Sequence, residues 1–334
     1  MARPAVILAI ESSCDETAAA LVDEGGHMRA NVVASQAELH ARYGGVVPEV
    51  ASRRHLELCV PVVEHALDEA GATLDDVSAV AVTEGPGLIG ALLVGLASAK
   101  ALAFARRLPL IPVDHLHGHV ASLYLEPGPL DPPFLLLLAS GGHTLLAEID
   151  DRGPGMHVIG QTLDDAAGEA FAKGARLLGL GYPGGAALER LARDGDDNAY
   201  EFAVAMAGRP GFDMSFSGLK TALRQAVLSS DDLDSARADL AASYQRAIVR
   251  SLVSRTMRAV EDTGRGTLAV VGGVAANGAL RSALEEACAA AGVRLALAPL
   301  ALCSDNAAMI ASAARFCTPL PFPEYLSRDA YATA

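Results

Sequence analysis

Tryptophan is absent from this chain, and aromatic residues make up only 4% of it. Its core must therefore come from Ala, Val, Leu and Ile, which suits helices packed on sheets. No CxxC pair occurs. The five cysteines, Cys14, Cys59, Cys288, Cys303 and Cys317, are odd in number and irregular in spacing, which argues against a disulfide framework and for a reducing compartment. No stretch approaches the roughly 20 apolar residues of a membrane span. The first apolar run, residues 6–10, stops at Glu11 and reads as a strand, not as a leader peptide. The expectation is a cytoplasmic protein with no membrane partner. Basic charge is also scarce: 26 Lys and Arg stand against 40 Asp and Glu, a net charge of −14. Such a chain repels nucleic acid at long range, so any RNA contact needs a local basic patch or a partner that supplies one. Arg42, Arg53, Arg54 and His55 are one candidate patch, Arg106 and Arg107 another; the plainer reading of both is a solvated face.

What is present fits about two domains: 334 residues, 51% hydrophobic and 20% charged. The Pro- and Gly-rich stretch 127–133 is the best boundary. It separates an N-terminal lobe, 1–130, from a C-terminal lobe, 131–317, with the tail 318–334 expected to pack on the first lobe. Residues 6–10 enter the polar turn ESSCDET (11–17), and 18–22 leave it as a second strand. The pattern recurs in 134–139, SGGHT (140–144) and 145–149. A third glycine turn, VVGGVAANGALR (270–281), follows a strand at 268–271 and opens a helix. Two strand–turn–strand cassettes, one early in each half, suggest an actin-like ATPase fold, that is, an α/β, two-lobe, duplicated ribonuclease H-like architecture. Backbone N–H groups in Gly- and Ser-rich bends make anion nests, which suits phosphate binding. Further helices are expected over 56–70, 89–105, 236–262 and 304–316.

The most informative local feature is VDHLHGHVASLYL (113–125). Asp114 is a plausible N-cap, and His115 and His119 stand at i and i+4 on one helical face, where two imidazoles can bind one metal ion. His117 lies nearly opposite. A zinc-protease reading fails, because the residue after the first His is Leu116 where that chemistry needs a Glu. Two His ligands want a third, often a carboxylate. Asp305 in CSDNAAM (303–309) offers one, although an acid in a helix's first turn is also favoured by the dipole alone. Asp15 and Glu16 at the first bend can position a metal, a water or a proton, or can simply form the turn. Asn277 can meet a ligand or cap a helix.

Taken together, ESSCDET, YGGVVPEVASRRH (43–55), TEGPGLIGALLVG (83–95), HLHGH (115–119), LASGGHT (138–144), DDAAGEAF (164–171), GYPGG (181–185), SFSGLKT (215–221), GGVAANGALR (272–281) and CSDNAAM resemble the TsaD family, the tRNA adenosine threonylcarbamoyltransferases once described as glycoprotein endopeptidases. The match is colinear over nearly the whole chain. The resemblance implies the actin-like two-lobe fold. It implies a divalent metal on His115, His119 and Asp305, Fe(2+) being favoured and Zn(2+) the alternative. It also implies that threonylcarbamoyl-AMP rests on Leu138, Ala139, Ser140, Gly141 and Gly142, with Gly185 and Asn277 in contact. Glu189, one turn past Gly185, can serve the ribose or be only a surface helix acid. The implied partners are tRNA, a shorter TsaB-like pseudo-enzyme, a small TsaE-like P-loop ATPase and a synthase that makes the adenylate. Two positions depart from the family pattern. Ala172 stands where a ribose-binding Asp is usual, and His117 where Glu is frequent.

Overall fold

The computed structural model describes residues 5–206 and 208–332. The chain forms two compact units: one is built from the chain through Asp131, Asp151–Gly155 and the chain from Asp305, the other from Pro132–Asp150 and Met156–Ser304.

In the first unit, β1 (Val6–Glu11), β2 (Glu16–Asp23) and β3 (Met28–Ser35) form an antiparallel meander. Helices α1 (Ala37–Ala41) and α2 (Pro48–Ala70) follow, then β4 (Val77–Gly85), α3 (Ile89–Arg106), β5 (Leu110–Asp114) and α4 (His115–Ala121). The sheet order is β3-β2-β1-β4-β5, with β4 parallel to β1 and β5 parallel to β4. Strand β1 is central and buried along its whole length, which is why it reads as an unbroken apolar run ending in one acid. The helix expected at 56–70 begins eight residues earlier, where Pro48 takes a first-turn position, and it ends at Gly71 in the left-handed region (φ 57°). Helix α3 is long and apolar enough by length and composition to cross a membrane, a candidate the sequence reading did not single out. It buries Ala91, Leu92, Gly95, Leu96, Ala99 and Ala103 at three- and four-residue spacing, the single stripe of a helix lying on a sheet.

The second unit repeats the plan. β6 (Phe134–Ala139), β7 (Thr144–Ile149) and β8 (His157–Gln161) form an antiparallel meander. Helices α5 (Ala167–Leu177), α6 (Gly184–Ala192), α7 (Ser217–Leu228) and α8 (Leu233–Thr263) lead to β9 (Thr267–Val271), α9 (Gly278–Ala291) and β10 (Arg294–Leu297). The order β10-β9-β6-β7-β8, with β9 parallel to β6 and β10 parallel to β9, is that of the first sheet element for element.

The chain then returns to the first unit through α10 (Ala307–Ala314), which packs on β1, β2 and α4. The sequence division gave residues 305–317 to the C-terminal lobe. Helix α10 is buried at every position, and the faces available to it are those of β1 and β2. The helix expected from Ser304 is also shorter, because Asn306 caps it by accepting from the Met309 N–H.

Gly272 joins the two glycine-rich turns of the second unit. Its φ is +92°, and a Cβ there would lie 2.4 Å from the Ala139 carbonyl oxygen. Gly272→Ala should lower stability by about 1–3 kcal/mol through strain and overlap. Gly273→Ala, where a Cβ would meet nothing within 4 Å, should cost much less. Urea unfolding of the two variants side by side checks this.

Candidate functional site

The centre of the first unit's chemistry is α4. Asp114 caps it, its Oδ1 accepting from the Leu116 and His117 N–H groups at 2.8 and 3.0 Å. The short helix aims His115 and His119 at Asp305. Nε2 of His115 lies 3.5 Å and Nε2 of His119 3.3 Å from Asp305 Oδ1. One ligand atom from each of the three lies within 4.8 Å of the others. Ligands bound at ~2.1 Å in tetrahedral or octahedral arrangement sit roughly 3.0–3.4 Å apart, and the two imidazole–carboxylate distances are close to that range. The donor set passes a second test. His119 is fully buried, and neither ring nitrogen has a hydrogen-bond partner, a costly state that a bound cation at Nε2 relieves. His115, His119 and Asp305 are therefore a possible metal-binding triad. His117 is not part of it: its ring meets the Arg152 carbonyl and the Cys317 thiol instead.

Behind the triad sits a residue that the sequence reading passed over. Glu11, at the end of β1, is fully buried. Its Oε1 accepts from the Ser13 N–H, and its Oε2 from the Thr83 hydroxyl. Oε2 also lies 3.2 Å from His115 Nδ1, with Ser13 Oγ at 3.3 Å from the same nitrogen. A carboxylate there requires the proton on Nδ1, which turns the Nε2 lone pair toward Asp305. The only sequence sign of it was a lone acid closing an otherwise apolar buried strand. Burial pulls the His115 imidazole down, but the carboxylates of Asp305 and Glu11 outweigh it and raise it to about 9. Burial pushes Glu11 up, yet the His115 charge and its hydrogen bond bring it below the ordinary carboxylate range.

Asp15 and Glu16 follow in the first turn. Glu16 opens β2 and accepts from the Ser35 hydroxyl through Oε1, while its Oε2 is buried without a partner. Burial raises its carboxyl to about 7, against the Ser35 hydrogen bond and with help from the charges of Asp15 and Asp305. The candidate basic patch around residue 55 loses its histidine to the interior. His55 is buried and bridges the Thr17 hydroxyl and the Cys14 carbonyl. Arg54 pairs with Glu57 and Arg106 with Asp75.

In the second unit, Leu138 and Ala139 are the buried end of β6, and Ser140, Gly141 and Gly142 make the turn into β7. Ser140 closes the turn by donating its N–H to the His143 carbonyl and accepting the His143 N–H on Oγ. Gly141 and Gly142 are exposed, and a Cβ on either would meet nothing within 4 Å, so their backbone faces open space. Helix α5 starts against this turn, with Gly168 N–H donating to the Ser140 carbonyl and a hypothetical Cβ on Gly168 only 2.5 Å from that oxygen. Ala172 is exposed on α5, beside Gly184 at the start of α6. Gly185 lies in the same first turn of α6. Glu189 is not a stray surface acid: its Oε1 accepts the Gly278 N–H at 3.0 Å. Asn277 caps α9 through Oδ1 and donates Nδ2 to Gln245, so its oxygen is engaged within the protein.

Residues 27–312 match the family described as TsaD, tRNA N6-adenosine threonylcarbamoyltransferase. The chain belongs to the TsaD family. It is 55% identical over 309 residues to the tRNA N6-adenosine threonylcarbamoyltransferase of Symbiobacterium thermophilum, covering 92% of this chain and 90% of that one. It is 52% identical over 307 residues to the protein of that name from a Geobacter species, covering 92% and 89%. Among solved structures it resembles full-length HypF, with a TM-score of 0.61 at 15% identity over 99% of this chain and 47% of that one. At that identity the likeness shows the fold alone, and the fold is the actin-like ATPase fold. The TsaD motifs fall on the structural features just described: HLHGH is α4, SGGHT is the turn after β6, and CSDNAAM supplies Asp305.

Glu11→Gln keeps the shape and removes the charge behind His115. It should weaken divalent-metal binding about 10- to 100-fold, read by chelator competition. Metal loading must also expel the proton that the metal-free His115 holds below about pH 9. Apparent affinity should therefore fall roughly tenfold for each pH unit below that value, and a pH-independent affinity between pH 6 and 8 would contradict the assignment.

Proposed function

We propose that this chain transfers the threonylcarbamoyl group of threonylcarbamoyl-AMP to the exocyclic amine of the adenosine next to the anticodon, in tRNAs that read codons beginning with A. The observation that carries the reading is the intact His115–His119–Asp305 set, its two imidazoles buried and both ring nitrogens of His119 without a hydrogen-bond partner, in a chain that matches the TsaD family over most of its length.

The amine nitrogen attacks the carbonyl carbon of the mixed anhydride. A C–N bond forms, the C–O bond to the phosphate breaks, AMP leaves, and the nitrogen gives up a proton. That amine is a poor nucleophile, since its lone pair is delocalised into the ring, so catalysis leans on positioning and on activating the carbonyl. A divalent ion supplies Lewis acidity for that carbonyl when bound. His115, His119 and Asp305 would hold it; two imidazoles and a carboxylate suit iron and zinc alike, and the family resemblance favours Fe(2+).

Leu138, Ala139, Ser140, Gly141 and Gly142 seat the adenylate, the open backbone of the two glycines receiving the phosphate as an anion nest does. Gly185, Glu189 and Asn277 complete the nucleoside contacts, Asn277 through the amide N–H that Gln245 does not engage, because its oxygen caps α9. Glu16 is the better proton acceptor of the Asp15–Glu16 pair: it keeps one carboxylate oxygen without a partner, and its carboxyl is raised to about 7, near working pH. The chain works in the cytoplasm with a TsaB-like subunit, a TsaE-like ATPase and the adenylate synthase. With a net charge of −14, it relies on those partners for much of its hold on tRNA.

The test is reconstitution with these partners, ATP, threonine, bicarbonate and unmodified tRNA, followed by digestion and a search for threonylcarbamoyladenosine by mass. Wild-type protein should give product, and the double variant His115→Ala/His119→Ala none; full transfer by the double variant would overturn the metal role. Product absent from wild type but regained on Ala172→Asp would mark the chain as a weakened member of its family.

A further inference from the structure

The last described stretch of the chain lies along the edge of the first unit and ends on the metal-bearing helix. Leu320 and Leu110 exchange backbone hydrogen bonds at 2.8 and 3.0 Å, which fastens the stretch to β5. Tyr325 is fully buried among Val80, Leu96 and Ala99. Lys100 donates to the carbonyls of Leu326 and Arg328. Arg328 pairs with Glu84, and the Tyr331 N–H donates to the Glu84 carbonyl at 3.2 Å. The next residue, Gly85, has φ +157°, and a Cβ on it would lie 2.4 Å from the Tyr331 carbonyl oxygen and 2.8 Å from its ring. The glycine is thus a groove floor on which Tyr331 rests.

The hydroxyl of Tyr331 then donates to Asp114 Oδ2 at 2.6 Å. The other oxygen of Asp114 is the cap of α4. Helix α4 has only seven residues, two of them metal-binding candidates. A helix of two turns has little cooperativity of its own, so its orientation depends on what grips its ends. Burial, with the nearby carboxylates Asp114 and Glu84, pushes the hydroxyl up, so Tyr331 remains a donor across the working range.

We propose that Tyr331 is a positioning residue of the metal centre: its hydroxyl fixes the carboxylate of Asp114, and so sets the direction in which His115 and His119 leave α4. The proposal rests on the metal reading above. Its reach is one bond further out than that of Glu11, and supporting shells of this kind govern how precisely a site holds its ion. The seat of the segment does not depend on the hydroxyl, since Leu320, Tyr325, Lys100 and Arg328 anchor it separately. Tyr331→Phe therefore removes one hydrogen bond and leaves the packing on Gly85.

The experiment is a titration of the purified full chain with Co(2+) and Zn(2+) against a competing chelator, without substrates. Tyr331→Phe should raise the dissociation constant about tenfold, the low end of the range for supporting shells, while the melting temperature of the metal-free protein stays unchanged. In the reconstituted reaction the variant should lose kcat at limiting metal, recover it with excess metal, and keep its KM for tRNA. Arg328→Ala loosens the segment without touching the hydroxyl and should weaken metal binding in the same direction. Equal affinities for wild type and Tyr331→Phe would overturn the proposal, as would a loss of affinity accompanied by an equal loss of metal-free stability. A wild type that binds neither ion would instead overturn the metal reading on which it stands.

Discussion

A carboxylate with no access to water organises the first unit. Glu11 can remain charged at the end of a wholly buried strand only because the Ser13 N–H, the Thr83 hydroxyl and the His115 ring all converge on it. Each of those donors comes from a different part of the chain. Ser13 belongs to the first turn, Thr83 lies on β4, the strand parallel to β1, and His115 opens α4 after β5. Satisfying one buried charge therefore fixes how the first hairpin, the parallel strands and the metal helix meet. The same charge sets the tautomer of His115 and, with Asp305, makes that imidazole hold its proton tightly when no metal is there to replace it.

The two units show how one topology carries different chemistry. Both place a turn after the first strand of a five-stranded sheet of the same order. In the first unit that turn is Ser-, Cys- and acid-rich, and hydrogen bonds tie it to α2 through His55 and to the start of α3 through Leu88. In the second it is Ser-Gly-Gly, and α5 begins so close to it that only glycine fits at position 168. Charge and imidazole gather in the first case, and open backbone in the second. The difference lies in the turn residues and not in the sheets that present them.

Much of this was legible in the sequence. The paired cassettes are local patterns of apolar runs and turn residues, and His115 with His119 is a local spacing, so both could be read without a partner element. Glu11 could not, because its role exists only once β1 and β4 align in parallel and bring Thr83 beside it. His55 looked like part of a basic surface because its neighbours Arg53 and Arg54 are exposed, while the helix turns it inward. Residues 305–317 were placed with the wrong unit for a similar reason: nothing in an alanine-rich helix tells which sheet it will cover. Asn277, read as a ligand contact or a turn residue, and Glu189, read as a ribose contact, both hold the start of α9, a role that for Glu189 exists only once α6 and α9 meet.

The return of α10 to the first unit has a consequence for how the protein is made. The ribosome delivers both imidazoles by residue 119, but Asp305 and the helix that covers β1 and β2 arrive only after the entire second unit has been synthesised. Domains generally fold as they emerge, from the N-terminus onward, yet this first unit has to wait, with an apolar sheet face uncovered and two histidines short of their acid. The candidate metal triad is thus completed late in the life of the chain. Its completion requires that translation has passed residue 305 and that α10 has found a sheet made some 300 residues earlier.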